Sequence, residues 1–318
     1  MATPGRHPTL TEPATRGRGL RRRAPFYAYK AGSAIARGLP EPAAFALGKV
    51  AGRVISAAAG GRGRMIEKHL QRVHGGALSD AALAREVRRA FESYARYWVE
   101  SFRLPDTEFE QLDAGMSWQG LDLLDRALDD GKGALLVLPH LGGWDFGGAW
   151  FCGLGYSITV VVEAVEPPEL FEWFVDLRHD LGMTIVPLGP DAGTAILKTL
   201  KENGVVALVC DRDISGAGVE VDFFGEKTTL PSGPATLALR TGAPLLPVAV
   251  YFRGDRGHLG IVRPAIDTTR TAKFRDDVSR VTQTLAGELE TLIRHAPEQW
   301  HLMQPNWPSD RQPVTEGS

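Results

Sequence analysis

Cysteine is nearly missing from the chain. Only Cys152 and Cys210 occur in 318 residues, both in apolar surroundings and without C-x-x-C spacing. That excludes a disulfide framework and a cysteine zinc site, and it reads as buried thiols in a reducing compartment. Long apolar runs are missing too: no window reaches the roughly 18 consecutive apolar residues of a membrane span. The arginines near the N-terminus have no apolar stretch behind them, so no cleaved signal peptide is expected and the protein should stay on the cytoplasmic side. Charge of one sign is also lacking. A net charge of -2 gives no whole-molecule field for nucleic acid, which is not expected as a partner. Several catalytic signatures are absent as well. There is no G-x-S-x-G nucleophile elbow, and no His or Cys cluster has metal-ligand spacing. In the stretch Gly193 to Thr199, Leu197 stands where a phosphate loop needs glycine. Gly153 and Gly155 lack the third glycine of a dinucleotide fingerprint. Chemistry here is expected to be general acid/base work without a cofactor or metal.

What is present is a globular composition, 43% hydrophobic and 23% charged, in a length that suits one large domain or two small ones. Met1 to Ala24, with Arg6, Arg16, Arg18, Arg21, Arg22 and Arg23 against a single Glu12, has no apolar period and reads as a disordered basic tail, residues 1–25. Helices are expected from Phe26 to Arg37, from Pro42 to Ala59 and from Met65 to Val73, followed by a longer one capped by Ser79 and ended before Pro105. In the second, Leu47, Val50, Ala51, Val54 and Ala58 share one face while Lys49, Arg53 and Ser56 share another. A basic amphipathic helix after a basic tail suits an interfacial anchor; packing on an ordinary core is the alternative. In the long helix Leu83, Val87, Phe91, Tyr94, Trp98 and Phe102 form a stripe that reads as core, and the role of Glu100 stays open.

From Gly120 the pattern alternates. Apolar runs at Ala134–Leu138, Ile158–Val162, Met183–Val186, Val205–Val209 and Leu245–Phe252 read as strands, with helical stretches between them and a last helix at Phe274–His295. The expected fold class is α/β: a central, mostly parallel sheet flanked by helices, with an N-terminal helical segment. Ligands in such sheets bind beyond the carboxyl ends of strands.

Two stretches lie at such ends. In ALLVLPHLGGWDFGGAWF, Ala134 to Phe151, a strand runs into His140, two glycines follow, and Asp145 falls in the first turn of the next helix. Glycines let the chain fold back, so a loop His and a first-turn Asp can meet, and an imidazole held by a carboxylate can take a proton from a hydroxyl. In CDRDISGAGVEVDFFGEKTTLPSGPAT, Cys210 to Thr236, the acids Asp211 and Asp213 with Arg212 follow a strand. Glu220, alternating with Val219 and Val221, faces away from that apolar pair if the segment is extended. Arg178, on the helix after Glu163, can reach the same side.

Taken in order, His140 and Asp145 as H-x-x-x-x-D, the D-R-D with G-V-E-V-D-F-F-G, and the run from Pro231 to Val248 resemble successive blocks of the glycerophospholipid acyltransferase superfamily. Within it the chain is most similar to the branch of lipid A lauroyl and myristoyl acyltransferases, and more closely to the actinobacterial phosphatidylinositol mannoside acyltransferases. Y-A-R-Y-W-V-E-S-F-R-L-P at Tyr94 to Pro105 and the closing Q-W-H-L-M-Q-P-N-W carry the similarity across residues 26 to 308. It implies one acyltransferase domain over 26–308, with 26–105 as a helical, membrane-contacting part and 309–318 as a disordered tail. It implies transfer of a long acyl chain, palmitoyl first, from acyl-CoA or acyl carrier protein to a mannose hydroxyl of phosphatidylinositol mannoside or a related glycolipid. His140 would be the base and Asp145 its orienter, with Glu220 as the third-block acid and Asp211 or Asp213 as fallbacks. Glu163 and Arg178 would form a charged pair shaping the site, and Arg212 would meet donor phosphates or the oxyanion. The missing apolar anchor helix favours a peripheral enzyme at the anionic cytoplasmic face of the plasma membrane. A lipid A type acyltransferase, a non-catalytic lipid-binding protein and a hydrolase using the same residues are the competing expectations.

Overall fold

Why the middle of the sheet is buried on both faces is visible in its central strands, Ala134–Leu138, Val205–Val209 and Leu245–Arg253, which are nearly all-apolar runs rather than alternating ones. A computed structural model describes residues 16–189 and 191–311. Helices α1 (Arg16–Gly38), α2 (Glu41–Ala58), α3 (Gly60–Val73), α4 (Asp80–Arg103) and α5 (Phe109–Gly115) come first. Then follow β1 (Met116–Gln119), α6 (Leu121–Asp129), β2 (Ala134–Leu138), α7 (Trp144–Gly153), β3 (Ile158–Val162), α8 (Pro168–Asp180), β4 (Thr184–Pro187), α9 (Ala192–Lys201) and β5 (Val205–Val209). A hairpin of β6 (Val219–Phe223) and β7 (Glu226–Leu230) leads to α10 (Gly233–Thr241), β8 (Leu245–Arg253), β9 (Gly257–Val262) and α11 (Phe274–His295). The seven-stranded sheet has the order β1-β9-β8-β2-β5-β3-β4. Only β8 and β9 pair antiparallel within it. This is the α/β class that the alternating pattern implies.

Alternate residues of each strand feed two cores. On β2, Leu135 and Val137 join the cluster packed by α10 and α11, while Ala134 and Leu136 join the one under α6 and α7. Loop chemistry then sets the strand ends. Gly142 has φ +62°, and a Cβ there would lie 2.0 Å from the Val250 carbonyl oxygen, so only glycine lets the chain after β2 turn against β8.

The N-terminal helices depart from expectation in two ways. First, α1 starts at Arg16, so residues 16–25 are helix rather than tail; Arg22 and Arg23 pair with Glu166 and Glu169 at the start of α8, tying that turn to the body. Residues 1–15 lie outside the described residues. Second, of the two expectations for α2, packing of its apolar flank on an ordinary core is not what is seen. Ala44, Gly48 and Gly52 are buried against α4, whereas Leu47, Val50 and Val54 are 48%, 54% and 64% exposed. Small residues let the α2 backbone approach that of α4 closely: a Cβ on Gly52 would sit 2.7 Å from the Phe91 carbonyl oxygen. The α4 helix itself starts as expected, with Ser79 Oγ accepting from Ala82 N–H. Among the described residues no single helix is long and apolar enough to cross a membrane, and α2 and α3 meet that test only as a pair bent by 95°.

At the other end, Pro308–Arg311 is a 3-10 turn with Asp310 buried, so the body extends past residue 308; residues 312–318 of the expected tail lie outside the described residues. The elements that the sequence reading lacks are α5, β1, β9 and the β6–β7 hairpin. Glycines interrupt β9, and Trp118 of β1 fills the space beside Gly260.

Candidate active site

Strands β2 and β5 are parallel neighbours, with Leu138 opposite Val209. The chain leaving each therefore delivers His140 and Asp211 to the same place. Asp211 Oδ1 lies 2.7 Å from His140 Nδ1, and Oδ2 accepts from the His140 backbone N–H at 3.0 Å and from the Trp300 indole N–H at 2.7 Å. The carboxylate is sealed at 0% exposure, while the imidazole side chain is 36% exposed. Burial alone would push the Asp211 carboxyl up, but the His140 charge, its hydrogen bonds and the Trp300 N–H together hold it below the ordinary value. In the neutral ring, with Nδ1–H donating to that carboxylate, the lone pair is on Nε2.

The closing Q-W-H-L-M-Q-P-N-W segment braces this pair. Beyond Trp300, Asn306 Nδ2 donates to the Asp211 carbonyl at 2.9 Å, and His301 N–H donates to the His140 carbonyl at 2.7 Å. The His301 ring is buried, in hydrogen-bond contact with Ser93 at 2.9 Å; burial first, and the His140 charge second, lower it to about 3.

Asp145 does not reach His140, contrary to the expected pair. The turn through Gly142 and Gly143 points the first turn of α7 towards α4 and α8, and there Asp145 is buried. It accepts from Arg178 Nε at 2.9 Å, Tyr97 OH at 2.7 Å and Ser101 Oγ at 3.3 Å. Burial and the Asp145 charge raise the Tyr97 phenol well above its ordinary value; for Arg178, burial works to lower the guanidinium and Asp145 outweighs it, so the ion pair persists. Trp144 stands between the two clusters, its ring 5.9 Å from His140 and 4.2 Å from Tyr97.

The other expected site residues divide. Arg212 donates to Glu163 at 2.8 Å, so Glu163 pairs with Arg212 and not with Arg178; both line the cavity below. Asp213 closes its own loop, accepting from Ser215 N–H at 2.9 Å and Gly218 N–H at 2.8 Å. Glu220 is 70% exposed and faces Lys227 across the hairpin, because strand alternation turns Val221 and Phe223 inwards and Glu220 out. The carboxylate bonded to His140 is that of Asp211, one of the two expected fallbacks, and not that of Glu220.

A cavity of about 640 Å³ opens beside His140. Leu136 and Leu138 of β2, Val160 and Val162 of β3, and Val209 of β5 wall it on one face of the sheet, where Tyr29, Trp98, Phe171 and Phe174 cover it, and it continues over the strand ends to Val161, Leu208, Ile196 and Leu237 on the other face. Tyr94 and Trp98, expected as plain core, therefore line this space. Glu100 is buried and bonds His258 at 2.5 Å behind α7. Polar groups gather at the His140 end, among them Arg212, Ser215, Ser232 and Gln304. Among the described residues no group of three or more His, Cys, Asp or Glu is arranged to hold a metal ion. Sequence reasoning missed Tyr97, Trp144, Trp300, His301 and Asn306 as site residues; the last three stand in the closing block, whose density of Trp, His and Asn in a tail was the available signal.

Residues 16–309 match the family described as bacterial lipid A biosynthesis acyltransferase. The chain is similar to the phosphatidylinositol mannoside acyltransferase of Mycolicibacterium smegmatis, 38% identical over 285 residues that cover 89% of this chain and 91% of that protein. It is likewise similar to the proteins of that name from two strains of Mycobacterium tuberculosis, 40% identical over 299 residues covering 91% of this chain and 90% of each.

Proposed function

Because the chain belongs to the bacterial lipid A biosynthesis acyltransferase family and is an acyltransferase, we propose that it moves a long acyl chain, palmitoyl first, from acyl-CoA to a mannose hydroxyl of phosphatidylinositol mannoside. The observation that carries the mechanism is the Asp211–His140 pair at the mouth of an apolar cavity. His140 Nε2 takes the proton of the acceptor hydroxyl as its oxygen attacks the thioester carbonyl carbon. Asp211 holds Nδ1–H and stabilises the imidazolium. When the tetrahedral intermediate collapses, the carbon–sulfur bond breaks and the imidazolium returns the proton to the departing thiolate. No cofactor or metal enters this sequence. The acyl chain lies along the sheet face, and Arg212, which lines the cavity and is oriented by Glu163, is the group at the polar end for donor phosphate or the oxyanion. The Asp145–Arg178–Tyr97 cluster positions α7 and lines the cavity wall beside the site.

The enzyme works peripherally at the cytoplasmic face of the plasma membrane. In support, the outer flank of α2 presents Leu47, Val50 and Val54 beside exposed Lys49, with Arg53 paired to Glu92, the pattern of an amphipathic helix lying in an interface. Incubating the purified protein with radiolabelled palmitoyl-CoA and a panel of membrane glycolipids tests the assignment. Labelled acylated phosphatidylinositol mannoside is expected; label only in lipid A precursors would favour a lipid A type enzyme, only in free fatty acid a hydrolase, and none at all a lipid-binding protein.

A further inference from the structure

Resting on the assignment of the cavity to the donor's acyl chain, we propose that Met183, kept in place by the missing side chain of Gly148, is the floor that sets which acyl-chain length the enzyme prefers. On the face under α7 and α8, the strand registers give the cavity a direction. His140 lies beyond the carboxyl end of β2, and the wall descends through Leu138 and Leu136. Ile158 of β3 is level with Val205 of β5, which is level with Ala134 at the start of β2. From Leu138 to that level is four residues, about 13 Å at the strand rise, and His140 lies further out still. Met183 immediately precedes Thr184, which pairs with Thr159, so Met183 and Ile158 share the deep level. Both line the cavity and are 3% exposed, as is Phe151 of α7 beside them.

Gly148 faces the same space from inside α7, where glycine is an unfavourable helix residue. A Cβ there would fall 2.8 Å from Met183 Cε and 2.9 Å from its Sδ. Both atoms are the far end of an unbranched side chain with three rotatable bonds, which yields by swinging. Any side chain on Gly148 therefore displaces the thioether and shallows the cavity, whereas trimming Met183 deepens it. Discrimination follows from burial: each methylene that finds room contributes about fourfold in affinity, and one that meets the floor contributes none.

Two readouts test this with wild type, Gly148→Ala and Met183→Ala. One is displacement of a fluorescent fatty acid by lauric, myristic, palmitic, stearic and arachidic acids. The other is transfer of the matching acyl groups from acyl-CoA to phosphatidylinositol mannoside. Met183→Ala should move the optimum to longer chains by about two methylenes, changing the ratio between neighbouring even-numbered chains by about fifteenfold. Gly148→Ala should move it to shorter chains. If Met183→Ala keeps the wild-type order of lengths in both readouts, the floor assignment is overturned, whether or not Gly148→Ala folds. If fatty-acid binding shifts as stated while wild type transfers no chain of any length, the floor stands and the acyltransfer reading of the site falls.

Discussion

His140 and Asp211 meet at 2.7 Å because the strands that precede them are parallel neighbours in register, Leu138 opposite Val209. Neither residue is near the other in sequence, and neither depends on Asp145, whose carboxylate is committed to Arg178 at 2.9 Å. The cavity thus holds two separate acid–base clusters, and variants should separate their effects.

Asp211→Asn removes the charge that fixes the imidazole tautomer and should lower turnover by about 10²–10⁴-fold. Glu220→Gln, exposed beside Lys227, should leave turnover unchanged. Steady-state transfer assays on both variants check this; the reverse ranking would return the third-acid role to Glu220.

Asp145→Asn or Arg178→Leu each strands a buried charge and should cost about 3–5 kcal/mol of stability. The double variant should cost clearly less than the sum of the two, since no unpaired charge remains. Denaturant unfolding of the four proteins measures the coupling. Additive losses would contradict the pairing seen at Arg178 Nε.

The two flanks of α2 should respond oppositely. Gly52→Ala brings a Cβ to 2.7 Å from the Phe91 carbonyl oxygen and 2.9 Å from Glu92 Cα, both backbone atoms that do not yield, so it should cost about 1–3 kcal/mol. Val50→Ser with Val54→Ser, on the exposed flank, should change stability by only about 0.5 kcal/mol per site while weakening sedimentation with anionic vesicles. Unaltered vesicle binding in that pair would remove α2 from the membrane contact.

His301 should make the fold acid-sensitive. Its folded value is lowered to about 3 by burial and by His140, below the unfolded value near 6.5. The unfolded chain then binds the extra proton, and stability falls as pH drops from about 6.5 towards about 3, by up to a few kcal/mol. Chemical denaturation of wild type and His301→Gln across that window should show a shallower loss in the variant; parallel curves would contradict a neutral, buried His301.

Strand positions were legible because β2, β3 and β5 are short apolar runs whose ends carry the chemistry. Strand order was not, since which strands neighbour each other depends on packing of distant segments. That is why Asp145, five residues from His140 in the chain, looked the better partner than Asp211. The alternation in β6 did show Glu220 facing away from Val219 and Val221, and the structure turns that face to solvent. The tail residues Trp300 and Asn306 were legible as a dense polar-aromatic block, but only the fold shows that they close over Asp211. On α2 the helical period was right, and of its two readings it is the core-packing one that fails, because close backbone contact at Gly52 sets the small residues rather than the larger apolar side chains against α4.

The proposed base for acyl transfer to a hydroxyl is His140. Single-turnover transfer from labelled palmitoyl-CoA to phosphatidylinositol mannoside, comparing wild type with His140→Ala of matched unfolding midpoint and fatty-acid binding, tests it most directly. A loss of about 10²–10⁴-fold in the transfer step is expected; transfer at the wild-type rate in His140→Ala would contradict it.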